Sequence, residues 1–167
     1  MAGESEMKEQ KTNVMRLLEQ KKIDYTPHEY PHGDEAVDGV TVAEICGQDP
    51  AQVFKTLVAR GASKNIYVFD VPVTGELDLK KAAKAAGEKS IAMIHVSEIN
   101  ALTGYVRGGC SPIGMKKQYK TFIDISAQDK PTIMVSAGKI GYQVELRPND
   151  LAGLVRAKFV DLVSEND

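Results

Sequence analysis

Two apolar runs separated by a glycine-led turn constrain this chain more than any other feature. Val53–Ala59 and Ile66–Val73 are rich in β-branched and aromatic residues, and Gly61-Ala62-Ser63-Lys64-Asn65 between them supplies turn formers. The pair predicts an antiparallel hairpin. In the first run Val53, Lys55, Leu57 and Ala59 share one face, and Phe54, Thr56 and Val58 the other. Both faces are mainly apolar, so both must be covered, and the rest of the chain has to supply the cover.

The flanking segments read as short elements. Lys8–Lys22 carries Val14, Leu17 and Leu18 at helical spacing, with Lys21 and Lys22 placed to suit the C-terminal dipole. Tyr25–Tyr30 reads as a strand ending at Pro31-His32-Gly33-Asp34. Thr41-x-x-Glu44 resembles a capping box for a short helix closed by Gly47, and Asp49-Pro50 opens a further turn. Asp78–Ala86, with an N-cap aspartate and Gly87 as terminator, is the clearest helix. Ser97–Leu102 is a helical turn stopped by Gly104, and a helix near Asn149–Arg156 precedes the apolar run Phe159–Val163. Four more strands are expected at Ser90–Ile94, Thr121–Ile125, Thr132–Ser136 and Tyr142–Leu146. Helices do not regularly alternate with these strands, which argues against a doubly wound parallel sheet. The expected fold is a single α/β (α+β) domain, a mixed, barrel-like sheet of about seven strands surrounded by helices.

Composition removes several classes of function. The 167 residues carry 21 Lys and Arg against 23 Asp and Glu, a formal charge of −2, so charge alone would not coat nucleic acid. No apolar run approaches the roughly 20 residues needed to cross a bilayer. The charged opening MAGESEMKEQK lacks the apolar centre of a signal peptide, and two cysteines, Cys46 and Cys110, give no disulfide framework. A cytoplasmic protein without membrane contact is expected. Arg107, Lys116, Lys117 and Lys120 nevertheless lie in one stretch without an acidic residue, either a solvated loop or a local basic patch.

Lys55 and a glycine loop are the candidate sites of chemistry. A lysine inside a two-sided apolar strand either snorkels to the sheet edge or holds its ammonium in a wet cleft, where it can meet an anion or a developing oxyanion. Arg107-Gly108-Gly109-Cys110-Ser111-Pro112-Ile113-Gly114 fixes an unusual backbone path and leaves amide groups uncovered by side chains. It is no phosphate-binding Walker loop, because Met115 stands where lysine is needed and Pro112 removes a donor. Ser136-Ala137-Gly138-Lys139-Ile140-Gly141 reads as a hairpin turn. His28 and His32 are separated by Pro31 and have no third ligand nearby, so no metal and no cofactor are expected. Cys110 has no histidine close in sequence to act as its base, and reads better as a small buried filler.

Taken in order, VFKTLV (53–58), VPVTGELDLKKAAKAAG (71–87), GGCSPIG (108–114), SAGKIG (136–141) and ELRPNDLAGLVRAKFVDL (145–162) resemble the YbaK/EbsC family of Cys-tRNA(Pro) deacylases, relatives of the editing domain of prolyl-tRNA synthetases. The resemblance runs from about residue 8 to 163, with residues 1–7 and 164–167 left as flexible ends. It implies a trans-editing enzyme that removes mischarged cysteine from tRNA(Pro), and possible action on Cys-tRNA(Cys), by substrate-assisted cleavage of the aminoacyl ester.

The same resemblance gives Lys55, Gly109 and Tyr30 catalytic roles. It places Gly108, Ser111, Pro112, Ser136, Gly138 and Gln143 at the substrate, and leaves Lys116, Lys117 and Lys120 to hold tRNA. It implies mischarged tRNA as the main partner, a transient association with prolyl-tRNA synthetase, and a monomer or weak homodimer. Gln143 departs from an aspartate common in the family, which leaves the amino acid preference open. Editing of Ala-tRNA(Pro) or another mischarged tRNA by water attack, and a non-catalytic tRNA-binding module, remain alternatives.

Overall fold

The computed structural model describes residues 11–33 and 35–165. The expected end at 1–7, the last two residues (166–167) of the expected end at 164–167, the first turn of the expected opening helix at 8–10, and Asp34 lie outside the described residues.

Local capping explains where most elements begin. Helix α1 (Asn13–Gln20) starts at Thr12, whose side chain accepts from the Met15 amide, and stops before Lys21 and Lys22. Strand β1 (Thr26–Glu29) follows. Helix α2 (Gly39–Cys46) corrects the expected Thr41 cap: Asp38 caps it by accepting from the Thr41 amide, and Gly47 closes it in the left-handed region. A carboxylate accepts more strongly than a hydroxyl at this position, so the aspartate three residues earlier wins. A short turn at Pro50–Gln52, capped by Asp49, leads into β2 (Phe54–Gly61), and β3 (Ile66–Pro72) returns beside it. Helix α3 (Leu79–Ala86) has the expected Asp78 cap, which accepts from Lys80 and Lys81, and the expected Gly87 terminator. Then come β4 (Ile91–Met93), helix α4 (Ile99–Thr103), β5 (Lys120–Asp124), β6 (Ile133–Ser136), β7 (Tyr142–Leu146), helix α5 (Pro148–Val155) and β8 (Lys158–Val160).

The expected mixed α+β domain is what forms: among the described residues eight strands make two sheets, flanked by helices and not closed into a barrel. The larger has the order β4-β2-β3-β5-β8, the smaller β1-β7-β6. The expected hairpin is antiparallel, pairing Lys55 with Val71 and Thr56 with Asp70, whereas β5 joins β3, and β8 joins β5, in parallel. The two sheets meet at a parallel bridge between Val53 and Met134.

Each face of the larger sheet has its own apolar cover, as two-sided apolar strands require. On one side Phe69 stacks on Phe122 with ring centroids 5.6 Å apart, packed with Val71, Ala82 and Leu162. On the other, Phe54 and Ile123 join Leu18, Ile133, Val144, Leu146 and Leu151 in the main core. Burying each such side chain is worth about 1.5–3 kcal/mol. β4 pairs with β2 only over Ala59–Gly61. The other end of β2, around residues 54–57, therefore has β3 on one side and a free edge on the other. A cleft opens there.

Candidate active site

The cleft has a volume of about 640 Å³ and runs along the free edge of β2, between the two sheets. Its wall includes Lys55 and Thr56 from β2, Gly108 and Cys110 from the glycine loop, Ser136 from β6, Gln143 from β7, and Tyr30 just after β1. Thus the structure brings together five of the residues expected to be catalytic or substrate-binding: Tyr30, Lys55, Gly108, Ser136 and Gln143. Tyr30 is buried and held in place by its amide, which donates to the Gly141 carbonyl. The volume lies in the range of small-molecule sites and suits a short terminal group rather than a folded nucleic acid.

Lys55 sits at the sheet edge with its side chain 30% exposed, on the cleft wall rather than in bulk solvent. Its ion-pair partner is Glu76, at 3.7 Å, and Glu76 is 79% exposed. A long contact to so exposed a carboxylate is worth less than about 1 kcal/mol. The ammonium is therefore available to an anionic group entering the cleft. Arg107 is the other cationic residue on the wall.

The two glycine loops are folded against each other. Gly108 has φ +84°, and a Cβ there would lie 2.6 Å from the Ala36 Cβ, so only glycine lets the loop approach this segment. A Cβ on Gly109 would meet the Lys139–Ile140 backbone at 3.1–3.2 Å. The Gly109 amide donates to the Val106 carbonyl at 3.0 Å, so this N–H is spent within its own loop. Gly109 is absent from the cleft wall, where its neighbours Gly108 and Cys110 stand. Ser111 and Pro112 are buried beneath the loop, and the Ser111 hydroxyl accepts from the Ile113 amide. Gly138 lines a second, smaller hollow with Tyr105 and Lys139, and its amide donates to the Ser136 hydroxyl. Lys116, Lys117 and Lys120 are all exposed, Lys117 and Lys120 lying over the rings of Tyr119 and Phe122.

Sequence reasoning missed the polar groups beneath the cleft. Asp70, facing Thr56 across the hairpin, is 0% exposed and lies on the same apolar strand as Val68 and Val71. The Thr56 hydroxyl donates to Asp70 Oδ1 at 2.6 Å, while Oδ2 is buried without a hydrogen-bond partner. Burial pushes the Asp70 carboxyl up from 3.8 to about 7, against the opposing pull of Thr56. The signal was present as the one acid in the run IYVFDVPV. Gln48, also unremarked, donates through Nε2 to Gln143 Oε1 at 2.9 Å and so fixes the orientation of that side chain.

Cys110 is half-buried on the cleft wall rather than sealed in the core. Burial, helped by the nearby Asp70 charge, pushes its thiol up to about 12, so at neutral pH it is not a thiolate and not an effective nucleophile. His28 is 2.7 Å from Glu145, and the His32 ring packs near those of Tyr30 and Tyr142. Among the described residues no histidine lies on the cleft wall. The site offers a cation, hydroxyls, the Gln143 carboxamide and shape, which suits cleavage of an already activated ester better than attack on a stable bond.

Fold and cleft together define a small mixed α+β domain with a partly polar cleft at a sheet edge. Comparison with known proteins gives the family: the model of the aminoacyl-tRNA editing domain matches residues 34–154, and the chain belongs to that family. It is 43% identical over 157 residues to EbsC of Enterococcus faecalis, provisionally named a Cys-tRNA(Pro)/Cys-tRNA(Cys) deacylase, covering 94% of this chain and 96% of that protein. A crystal structure provisionally described as a trans-editing enzyme for prolyl-tRNA synthetase superposes with a TM-score of 0.78 at 25% identity, over 90% of this chain and 94% of the other. The hypothetical protein APE2540, at 18% identity and a TM-score of 0.82 over 92% and 100% of the two chains, shares the fold. No helix among the described residues is long and apolar enough to cross a membrane.

Proposed function

We propose that residues 8–163 form one trans-editing domain that removes cysteine from mischarged tRNA(Pro), with Cys-tRNA(Cys) as a second substrate. The observation that carries this reading is Lys55: a cation with only a weak, exposed partner, on the wall of a cleft shared with the glycine loop. In this reading the ammonium binds the ester carbonyl oxygen and stabilises the negative charge that grows there. Tyr30, Gly108, Ser136 and Gln143 shape the pocket around the acyl group. Gly109, Ser111, Pro112 and Gly138 support the loops rather than touch the acyl group. The exposed Lys116, Lys117 and Lys120 meet the tRNA backbone, and prolyl-tRNA synthetase is the transient partner that delivers the misacylated tRNA.

The chemistry follows from what the cleft holds. The Cys110 thiol, pushed up to about 12, and the lack of a histidine among the described residues of the wall support a nucleophile from outside the protein. The substrate's own thiol attacks its ester carbonyl, the bond to the ribose oxygen breaks, and the thiol proton passes to that oxygen. The products are free tRNA and a cyclic thioester, formally an elimination. Water attack would instead release free cysteine.

Purified protein assayed against Cys-, Ala- and Ser-charged tRNA(Pro), with Cys-tRNA(Cys) alongside, tests this directly. Lys55→Ala should lower the rate about 10²–10³-fold, the usual cost of losing one charge-stabilising group. A folded Lys55→Ala protein that deacylates at the parent rate refutes the reading, and free cysteine as the first product refutes the thiol route.

A further inference from the structure

Among the described residues Asp70 is the one fully buried carboxylate whose second oxygen has no partner, and the proposed mechanism does not use it. It sits on β3 opposite Thr56, and although Thr56 and Lys55 leave opposite faces of β2, both line the cleft that opens at the strand's free edge. Thr56 on β2 donates to it, the parallel neighbour β5 presents Ile123, and the glycine loop brings Cys110 close. No described cation forms an ion pair with Asp70. A buried charge of this kind is costly to keep without a counter-charge.

We propose that Asp70, acting through Thr56, is the element of the cleft that reads the ammonium group of the aminoacyl end. The Thr56 hydroxyl has one proton, and it is committed to Asp70. What Thr56 offers to the cleft is therefore lone pairs, backed by a negative charge one hydrogen bond away. That arrangement accepts a hydrogen bond from a protonated amine and disfavours a neutral or anionic group in the same place. Asp70 is a positioning residue, since it never touches the substrate. Its buried carboxylate in turn gains the missing counter-charge when the amine arrives, so amine binding and Asp70 ionisation support each other.

This inference rests on the reading of the cleft as an aminoacyl site, and two probes separate the two. One is an adenosine carrying cysteine in amide linkage on its ribose; the other carries β-mercaptopropionate in place of cysteine and so lacks only the amine. Titration of the parent protein followed by carboxyl-carbon NMR should show the Asp70 pKa falling when the first probe binds and unmoved by the second. The parent should bind the amine-bearing probe about tenfold or more tightly than the other, the scale of one hydrogen bond to a charged group. Asp70→Asn should collapse that preference while leaving affinity for the probe without an amine unchanged. In a Thr56→Val background the Asp70→Asn change should have no further effect on the preference. A preference untouched by Asp70→Asn, or an Asp70 pKa that ignores a bound amine, overturns this inference alone. If neither probe binds the parent, the aminoacyl reading falls and the inference falls with it. Should Asp70→Asn not fold, the NMR titration of the parent still decides.

Discussion

Replacing Asp70 by asparagine gives a stability test that needs no substrate. The carboxyl is wholly buried and titrates near 7 in the native protein against an ordinary 3.8. A difference of one pH unit between native and unfolded pKa is worth about 1.4 kcal/mol. Ionised Asp70 therefore costs the native state about 4 kcal/mol relative to the protonated group. Because the native pKa is raised, the folded protein holds this proton more firmly than the unfolded chain does. Its contribution is fully present below about pH 4, is lost as pH rises towards about 7, and is flat above. Asparagine has no such titration. It keeps an oxygen to accept from Thr56 and adds a constant offset from its buried amide protons. That offset cancels when one follows how the difference between Asp70→Asn and parent changes with pH. Every other titrating group is common to both proteins and cancels too. Urea unfolding from about pH 4 to pH 8 should show the asparagine variant gaining on the parent by about 4 kcal/mol across the window. A difference that stays flat with pH would mean Asp70 titrates as an ordinary carboxylate. The idea of a stored buried charge opposite Thr56 would then be wrong.

Other outcomes follow from single contacts. Charge reversal at Lys116 and Lys117, both exposed, should raise KM for charged tRNA more than it lowers kcat and should steepen with falling salt; the opposite split in steady-state kinetics would put these lysines in the chemistry. Cys110, with its thiol pushed up to about 12, should resist iodoacetamide at about pH 8 in the native protein and react fully once unfolded, as read by mass spectrometry. Glu145 is held below its ordinary pKa first by the Thr132 hydroxyl and then by His28, so its contribution is present above the unfolded carboxylate range and lost as pH falls through the lower native value. Thr132→Val should accordingly cost about 1 kcal/mol at neutral pH, with the cost shrinking in acid unfolding titrations below about pH 4.

Which parts of this molecule could be read from sequence depends on how local their causes are. Asp78 and Gly87 bracket α3 because both cap and terminator act within a few residues, and the β2–β3 hairpin follows from two apolar runs and the turn between them. The closure of the sheet is not local. Whether strands β1, β6 and β7 continue the larger sheet or stand apart depends on one bridge, Val53 to Met134, between residues far apart in the chain, and no periodicity encodes it. The site divides the same way. Lys55 announces itself because a cation in a two-sided apolar strand is costly unless it has an outlet, and the outlet is the free edge left where β4 stops pairing at Ala59. Asp70 carries the same cost on the facing strand, yet its meaning stayed hidden, because an acid in an apolar run can cap, pair or remain buried. Only the register that sets it opposite Thr56 shows that its partner is a hydroxyl on the cleft wall and not a cation. The hairpin thus carries two expensive groups, one on each strand. Lys55 keeps an exposed, weakly paired ammonium, while Asp70 keeps a buried, half-satisfied carboxylate. A substrate end with a developing negative oxygen and a positive amine is the ligand that would relieve both.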